Sequence, residues 1–377
     1  CGMTATAAVV SNAMPPSLRD RWQAIRNRLL ASPRFHQWAA AFPLTRPIAR
    51  REATALFDLC AGFVYAQTLF ACVSLDLFER LAAGPVAIAT LAAEAAMPPD
   101  AMLRLIRAAA ALRLLEADAD TARLGPLGAA LRGNPGIAAM VRHHALLYRD
   151  LADPVALLRG EADASLAAFW PYEGADSDRA TTYSGLMAAS QPMIAAEILA
   201  GYNFGVHRRL LDLGGGDGSF LTALAPVAPR LDLMLFDVPP VAALAKRKLE
   251  AAGFAARVGV FGGDMRRDSL PRDADIVTLV RVLHDHDDDQ VMAILRNARA
   301  ALNAGATVLI AEPMAGTKGA ESMGDAYFGL YLFAMGSGRP RRPTELFAML
   351  AAAGFNSARQ HRTNQPMLAS LITAHAA

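Results

Sequence analysis

The chain has little with which to build covalent or metal cross-links. Its 377 residues include only Cys1, Cys60 and Cys72, an odd number with no CxxC pair, so a disulfide framework or a thiolate metal site is not supported. Cys60 and Cys72 fall in one apolar run and read as two buried thiols in a helix. A reducing cytoplasm fits that usage. A charge of one sign is also lacking: the formal net charge is +2, too small to mark the whole chain as a nucleic-acid binder. No GKS or GKT closes a glycine-rich loop, which excludes a P-loop. The first residues, CGMTATAAVV, lack a charged n-region followed by a convincing apolar core, so they do not read as a signal peptide; Met3 and Met14 are both candidate starts. The best membrane-span candidate, Leu59 to Leu75, is interrupted by Gln67, Thr68 and Ser74 and bracketed by Asp58 and Asp76. A buried helix and a soluble protein are the better expectation.

What is present is apolar and ordered. Apolar residues make up 54% of the chain and charged residues 19%, enough to fill large cores, and the length favours more than one domain. Residues 1–50 read as an arginine-rich leader. Between 15 and 51 there are eight arginines, no lysine and one acidic residue, Asp20. That composition suits either a solvated arm packed on a neighbour or attraction to an anionic membrane surface. Residues 51–200 read as a helical domain. Pro98-Pro99-Asp100 opens the helix MLRLIRAAAALRLLE with Asp100 as its cap, and ADADTARLGPLGAAL reads as a hairpin or wing. Helix, helix, wing is the outline of a winged-helix module, which keeps DNA binding open. Residues 134–200 are expected to be mostly helical, with a loop around Trp170-Pro171-Tyr172 and Gly174. From 201 to 377 short β-rich runs alternate with helices: strands are expected at 209–213, 231–237, 256–261, 275–280 and 306–312, with two more flanking Asn364-Gln365. This rhythm calls for an α/β fold with a doubly wound, mostly parallel sheet.

The chemistry-bearing signal is Leu211-Asp212-Leu213-Gly214-Gly215-Gly216-Asp217-Gly218, a strand end followed by a glycine turn before a helix at Ser219. Glycine lets the backbone turn tightly and approach a ligand closely. Asp237, at the end of the next strand, suits the two ribose hydroxyls of an adenosine. A dinucleotide motif needs glycine where Ser219 stands, and acidic groups beside a pyrophosphate would repel it. The same acids suit the ammonium and sulfonium of S-adenosylmethionine. Asp264 and Met265 follow the third strand, where a carboxylate meets an adenine amino group and a methionine packs on the ring, although an Asp there is commonly just a turn residue. The fourth strand runs into Arg281-Val282-Leu283-His284-Asp285-His286-Asp287, placing His284 beyond a strand's carboxyl end. The HDHDDD run lacks the spaced ligands of a metal site, and Asp287 to Asp289 read as helix-capping residues. His143 and His144 sit in a helix and could line a pocket, but read by default as surface or structural histidines.

This combination resembles the small-molecule O-methyltransferases of plants and bacteria, the group that contains caffeate and acetylserotonin methyltransferases. The resemblance implies a Rossmann-like class I methyltransferase domain behind an N-terminal winged-helix dimerisation domain. It further implies S-adenosylmethionine as cofactor, S-adenosylhomocysteine as product, no metal, and a homodimer. By the same resemblance His284 is the general base, Glu312 the acid that orients it, and Asp212, Gly214, Gly216, Asp237, Asp264, Met265 and Arg281 cofactor residues. Two departures stand out: His286 occupies a position usually held by tryptophan, and Pro340 falls where those enzymes carry a second glutamate.

The N-terminal half narrows the match. SPRFHQWAAAFPLTRPIARREATALFDLCAGFVYAQTLFACVSLDLF, VRHHALLYRDLADPVALLRGE, FWPY and YSGLMAASQPM look like the 1-hydroxycarotenoid O-methyltransferases of purple photosynthetic bacteria. The acceptor implied is the tertiary 1-hydroxyl of an acyclic carotenoid, with Met187, Met193, Phe328, Tyr331, Phe333 and Met335 as candidates to line an apolar slot. Residues of these types at helical spacing are more often simply core. A cytoplasmic enzyme associated peripherally with a membrane follows from such a substrate. The rival readings are methylation of a phenol or polyketide hydroxyl, and a DNA-binding regulator that senses S-adenosylmethionine.

Overall fold

The computed structural model describes residues 17–162, 164–169 and 177–377, and the side chains of 169 and 177–187 are outside that description. The loop expected around Trp170-Pro171-Tyr172 and Gly174, and the Met187 side chain, lie outside the described residues. Contacts divide the chain into Cys1–Thr68 and Leu69–Ala377. The boundary falls inside a long helix.

In the first unit, α1 (Leu18–Leu30) is opened by Ser17, whose hydroxyl accepts from the Asp20 N–H at 3.2 Å while the Asp20 carboxylate accepts from the Ser17 N–H at 2.9 Å. This reciprocal cap satisfies two otherwise free donors. α2 (Pro33–Ala41) begins with proline at its first position behind Ser32, where the missing N–H costs nothing. α3 (Arg46–Ser74) is a single 29-residue helix, long and apolar enough by length and composition to cross a membrane. Burial was expected for this helix, but only 17% of its most apolar stretch is buried. Leu56, Phe57, Leu59, Phe63 and Val64 are exposed, and so is Cys60. Of the two thiols only Cys72 is buried, and burial pushes it up to about 12.

The second unit begins with a small antiparallel sheet of β1 (Val86–Ala87), β2 (Leu115–Ala117) and β3 (Thr121–Leu124), in the order β1-β3-β2. Asp118 closes the hairpin by accepting from the N–H groups of Asp120 and Thr121. The helix Pro99–Ala111 buries Met102, Ile106 and Ala109, the i, i+4, i+7 stripe of an amphipathic helix. Its N-cap position is Pro98. Asp100 was expected to cap, but it sits in the first turn, where a carboxylate favours the helix dipole.

The larger sheet has seven strands: β4 (Arg209–Leu213), β5 (Asp232–Asp237), β6 (Val258–Gly262), β7 (Ile276–Val280), β8 (Thr307–Glu312), β9 (Phe355–His361) and β10 (Ser370–Ala376). Their order is β6-β5-β4-β7-β8-β10-β9. The first five in that order are parallel, and β10 runs antiparallel to both neighbours. Cores on the two faces bury alternate residues, Leu211 and Val277 on one and Leu210 and Ile276 on the other. That is why β7 and β8 read as nearly continuous apolar runs, interrupted only by Thr278, Thr307 and Glu312. The order reverses between β4 and β7, and the carboxyl ends there, Leu213, Asp237, Val280 and Glu312, converge on the crevice where such sheets bind ligands.

Candidate active site

The glycine turn after β4 is closed by the Gly214 N–H donating to the Phe236 carbonyl at 2.8 Å. Gly214 has φ 72° and Gly216 φ 58°, the left-handed region that favours glycine. A Cβ on Gly214 would come within 2.8 Å of Val282, while one on Gly216 would meet nothing within 4 Å. The turn is therefore packed on its inner side and open at Gly216. Asp237 reaches back across it: one carboxylate oxygen accepts from the Gly216 N–H at 2.8 Å and the other from the Val238 N–H at 2.7 Å. Each oxygen retains a lone pair. Burial raises Asp237 to about 6 against those hydrogen bonds.

Asp212 lies beneath the turn. It is 1% exposed, one oxygen accepts from Thr278 Oγ1 at 2.7 Å, and the other has no partner. Burial raises it to about 7. Asp217 is buried and has partners outside this group. It accepts from Ser219 and pairs with Lys248 Nζ at 2.5 Å, which neutralises it at the head of the following helix. Beyond β6, Met265 approaches the turn, its sulfur 3.7 Å from where a Gly214 Cβ would stand. Asp264 is held by Arg266 and Arg267 at 2.9 and 2.8 Å, and its hydrogen bonds with Arg266 bring it down to about 2.

The residues after β7 make the second half of the site. Arg281 has φ 57°, a conformation that costs a side-chain-bearing residue free energy and collects at functional sites. Its N–H donates to the Ala311 carbonyl, and its guanidinium donates to Ser190 Oγ at 2.8 Å. Leu283–Asp285 then form one 3-10 turn carrying His284, which is 2% exposed. Glu312, fully buried at the end of β8, meets this histidine at its backbone: Oε2 accepts from the His284 N–H at 3.1 Å, and Oε1 has no partner. The ring's neighbour is Asp285, with Oδ1 3.2 Å from Nε2, while Nδ1 has no protein partner. Glu312 was expected to orient the imidazole, but it instead fixes the turn that carries it. Burial, aided by the positive charges of Arg281 and Arg341, holds the imidazole well below its ordinary range. Burial also raises Asp285 to about 8. His284 is thus neutral near pH 7, the form that accepts a proton.

Two residues that sequence reasoning left out complete this geometry, Asp285 and Arg341. Arg341 is 0% exposed; its guanidinium donates to the Leu283 carbonyl at 2.7 Å, the His286 carbonyl at 2.7 Å and the Asp288 carboxylate at 2.7 and 2.9 Å. It grips the turn on both sides of His284. The preceding Gly338 lies so close that a Cβ there would be 2.2 Å from the His284 carbonyl oxygen. Pro340 puts no carboxylate in this segment, and Arg339 pairs instead with Asp288 and Glu345. His286 is buried against Gln290 and burial takes it down to about 4. Asp287 is the N-cap of the helix Asp288–Ala301. Among the described residues no cluster of three or more His, Cys, Asp or Glu is placed to hold a metal.

An aromatic group adjoins the base. The Phe328 ring centroid is 5.5 Å from that of His284, and Tyr327 and Tyr331 stack beside it at 5.8 Å. His143 and His144 are not surface residues. They hydrogen-bond Tyr331 at 2.9 Å and Tyr327 at 2.7 Å, tying the helix Pro135–Asp150 to this cluster. Met335 is buried in the core with Leu147, Leu166 and Tyr331, Met193 is half-buried, and Phe333 is 46% exposed. Of the five expected slot residues whose side chains are described, Phe328 is seated against His284, and Phe333 is exposed.

Known proteins similar to this chain fall in one family. An O-methyltransferase domain family matches residues 148–356 and an O-methyltransferase dimerisation domain matches 57–128. The latter includes part of α3, with the exposed Phe57, Leu59, Phe63 and Val64, and supports a homodimer. Demethylspheroidene O-methyltransferase of Cereibacter sphaeroides is 43% identical over 353 residues, spanning 92% of this chain and 93% of that protein. Acetylserotonin O-methyltransferase of Mus musculus is 30% identical, spanning 84% and 87%. Among solved structures, CalO1, a methyltransferase in calicheamicin biosynthesis in its S-adenosylhomocysteine-bound form, is 26% identical, spans 87% of this chain and 98% of that one, and has a TM-score of 0.71. The chain belongs to the S-adenosylmethionine-dependent O-methyltransferase family.

Proposed function

We propose that this enzyme methylates the tertiary 1-hydroxyl of an acyclic carotenoid, with His284 as general base. The observation that carries the substrate is the 43% identity across 92% of the chain to a demethylspheroidene O-methyltransferase. The buried His284 beside the Phe328 ring carries the base. S-adenosylmethionine supplies the methyl group as an activated sulfonium, leaves as S-adenosylhomocysteine, and no metal takes part. Asp237 binds the ribose hydroxyls through its remaining lone pairs, Gly214 and Gly216 let the backbone approach, and Met265 covers the adenine, with Asp264 and Arg281 further contacts. Asp212, with one unpartnered oxygen under the turn, suits the cationic end of the cofactor. An alcohol with a pKa near that of water, about 15.7, cannot be ionised beforehand by a histidine. His284 therefore takes the proton in the same step in which the oxygen attacks, using the ring nitrogen that has no protein partner. Alignment of the reacting groups provides much of the rate. Because the polyene resides in lipid, the enzyme works in the cytoplasm at a membrane surface.

A methyl-transfer assay with labelled S-adenosylmethionine, offering 1-hydroxycarotenoids beside a panel of phenols, tests the reading. Label in the carotenoid alone is expected, and label in phenols alone would overturn the acceptor. The DNA-regulator reading loses ground because the helix Pro99–Ala111 exposes Ala101, Arg104, Arg107 and Ala108, without the Asn or Gln that reads adenine edges.

Two further outcomes are expected. Asp237→Asn removes a charged acceptor worth about 1.5–3 kcal/mol, so cofactor affinity measured by calorimetry should fall at least tenfold. The pH profile of kcat/KM should also rise through about pH 8. Asp285 stays protonated below that value, and its carboxylate stabilises a developing imidazolium only once ionised. In Asp285→Asn the rise should vanish; a profile unchanged from wild type would detach Asp285 from the base.

A further inference from the structure

The first helix carries an arrangement that the catalytic site does not use. Leu18, Trp22, Ile25 and Leu29 recur at i, i+4, i+7 and i+11, a stripe about 60° wide at 100° per residue. All four are exposed, Leu18 at 85% and Trp22 at 63%. Arginines flank the stripe on both sides, Arg19 and Arg26 along one edge and Arg21 and Arg28 along the other, while Asp20, Gln23 and Asn27 take the far face. Arg26 lies 5.7 Å from the Trp22 ring centroid. The next helix adds Trp38 stacked on Phe42 at 5.4 Å, both exposed. No residue of α1 is buried, and α1 and α2 lie outside the segment matched by the dimerisation domain, which starts at residue 57.

We propose that α1 is an interfacial anchor that lies in the surface of an anionic lipid bilayer, its leucine–tryptophan stripe immersed and its four arginines at the phosphate level. Arginine stems lie along apolar surface while their heads reach polar groups, so cations at both edges of a narrow stripe fit a helix lying in the interface plane. Tryptophan prefers the same depth. Protein docking would not require the doubled cationic border, whereas anionic headgroups complement it along the whole helix. The proposal rests on the carotenoid reading only for its purpose, since binding to vesicles needs no substrate.

The test is sedimentation of the full-length protein with phosphatidylcholine vesicles that either contain or lack phosphatidylglycerol. Wild type should sediment with the anionic vesicles only, and high salt should release it. Each arginine near an anionic surface contributes roughly a factor of five to partition, so replacing Arg19, Arg21, Arg26 and Arg28 with glutamine should weaken it several hundredfold. Trp22→Ser with Ile25→Ser should lower it as well, without changing the oligomeric state on size exclusion. Binding retained by either variant would overturn the proposal. So would variants that convert the dimer to a monomer, because the stripe would then belong to a second copy of the chain. Failure of carotenoid methylation with vesicle binding intact would leave the anchor standing and remove the substrate.

Discussion

His284→Ala should lower methyl transfer by about 10²–10⁴-fold, the range for losing a positioned general base, while affinity for S-adenosylmethionine changes little. The split follows from the geometry. The glycine turn, Asp237 and Met265 belong to β4, β5 and the loop after β6, whereas His284 hangs from the turn after β7, held from below by Glu312 and Arg341. Removing the ring leaves every one of those backbone contacts in place. Calorimetric titration of cofactor beside a single-turnover assay separates the two quantities. Lost affinity with preserved turnover would take the base assignment away from this residue. His284→Gln keeps a hydrogen-bonding group of similar reach but cannot take up a proton, so it should be as inactive as the alanine variant.

The second large effect is expected at Arg341. Arg341→Met fills much of the same volume but strips the Leu283 and His286 carbonyls of a donor in a place without solvent. Each buried carbonyl left without a partner costs about 1–3 kcal/mol, so a loss of roughly 3 kcal/mol in denaturant unfolding is expected. A fall in kcat should exceed any change in KM, because the turn that carries the base loosens while the substrate's apolar contacts persist. Arg341→Lys should not rescue it: a compact ammonium cannot span two carbonyls and a carboxylate as a planar fork does. A lysine variant with full kcat would reduce Arg341 to a general stabiliser. Gly338→Ala should fail in the same direction, since its methyl group would strike the His284 carbonyl.

Much of this was legible in the chain before any coordinates. The five parallel strands begin and end within two residues of where alternating runs place them, because buried β-branched and leucine runs between glycine and aspartate punctuation have few other uses. The glycine turn and Asp237 were readable because a close-approach site restricts residue type at fixed spacing. Arg341 was not, because nothing in GSGRPRRP distinguishes it from Arg339 and Arg342, and its three acceptors are 53 to 58 residues away in sequence. Nor was the geometry of Glu312: a strand-end carboxylate looks the same in sequence whether it meets an imidazole or a peptide N–H. The exposed face of α3 defeated the expectation of burial for a different reason. Hydropathy reports that a face will be covered but not whether its own chain or a second one does so.

The position of β10 has a consequence for synthesis on the ribosome. β8, which ends in Glu312, has β7 on one side, and its other neighbour is β10, beginning only at Ser370. Until residues 370–376 have been made, the nascent chain presents the free hydrogen-bonding edge of a buried, mostly apolar strand, the kind of edge that recruits other chains. The catalytic domain is therefore completed by one of its last-made segments inserting between β8 and β9. A chain stalled or clipped before Ser370 would carry every proposed cofactor and base residue and still lack the strand that covers the edge of β8.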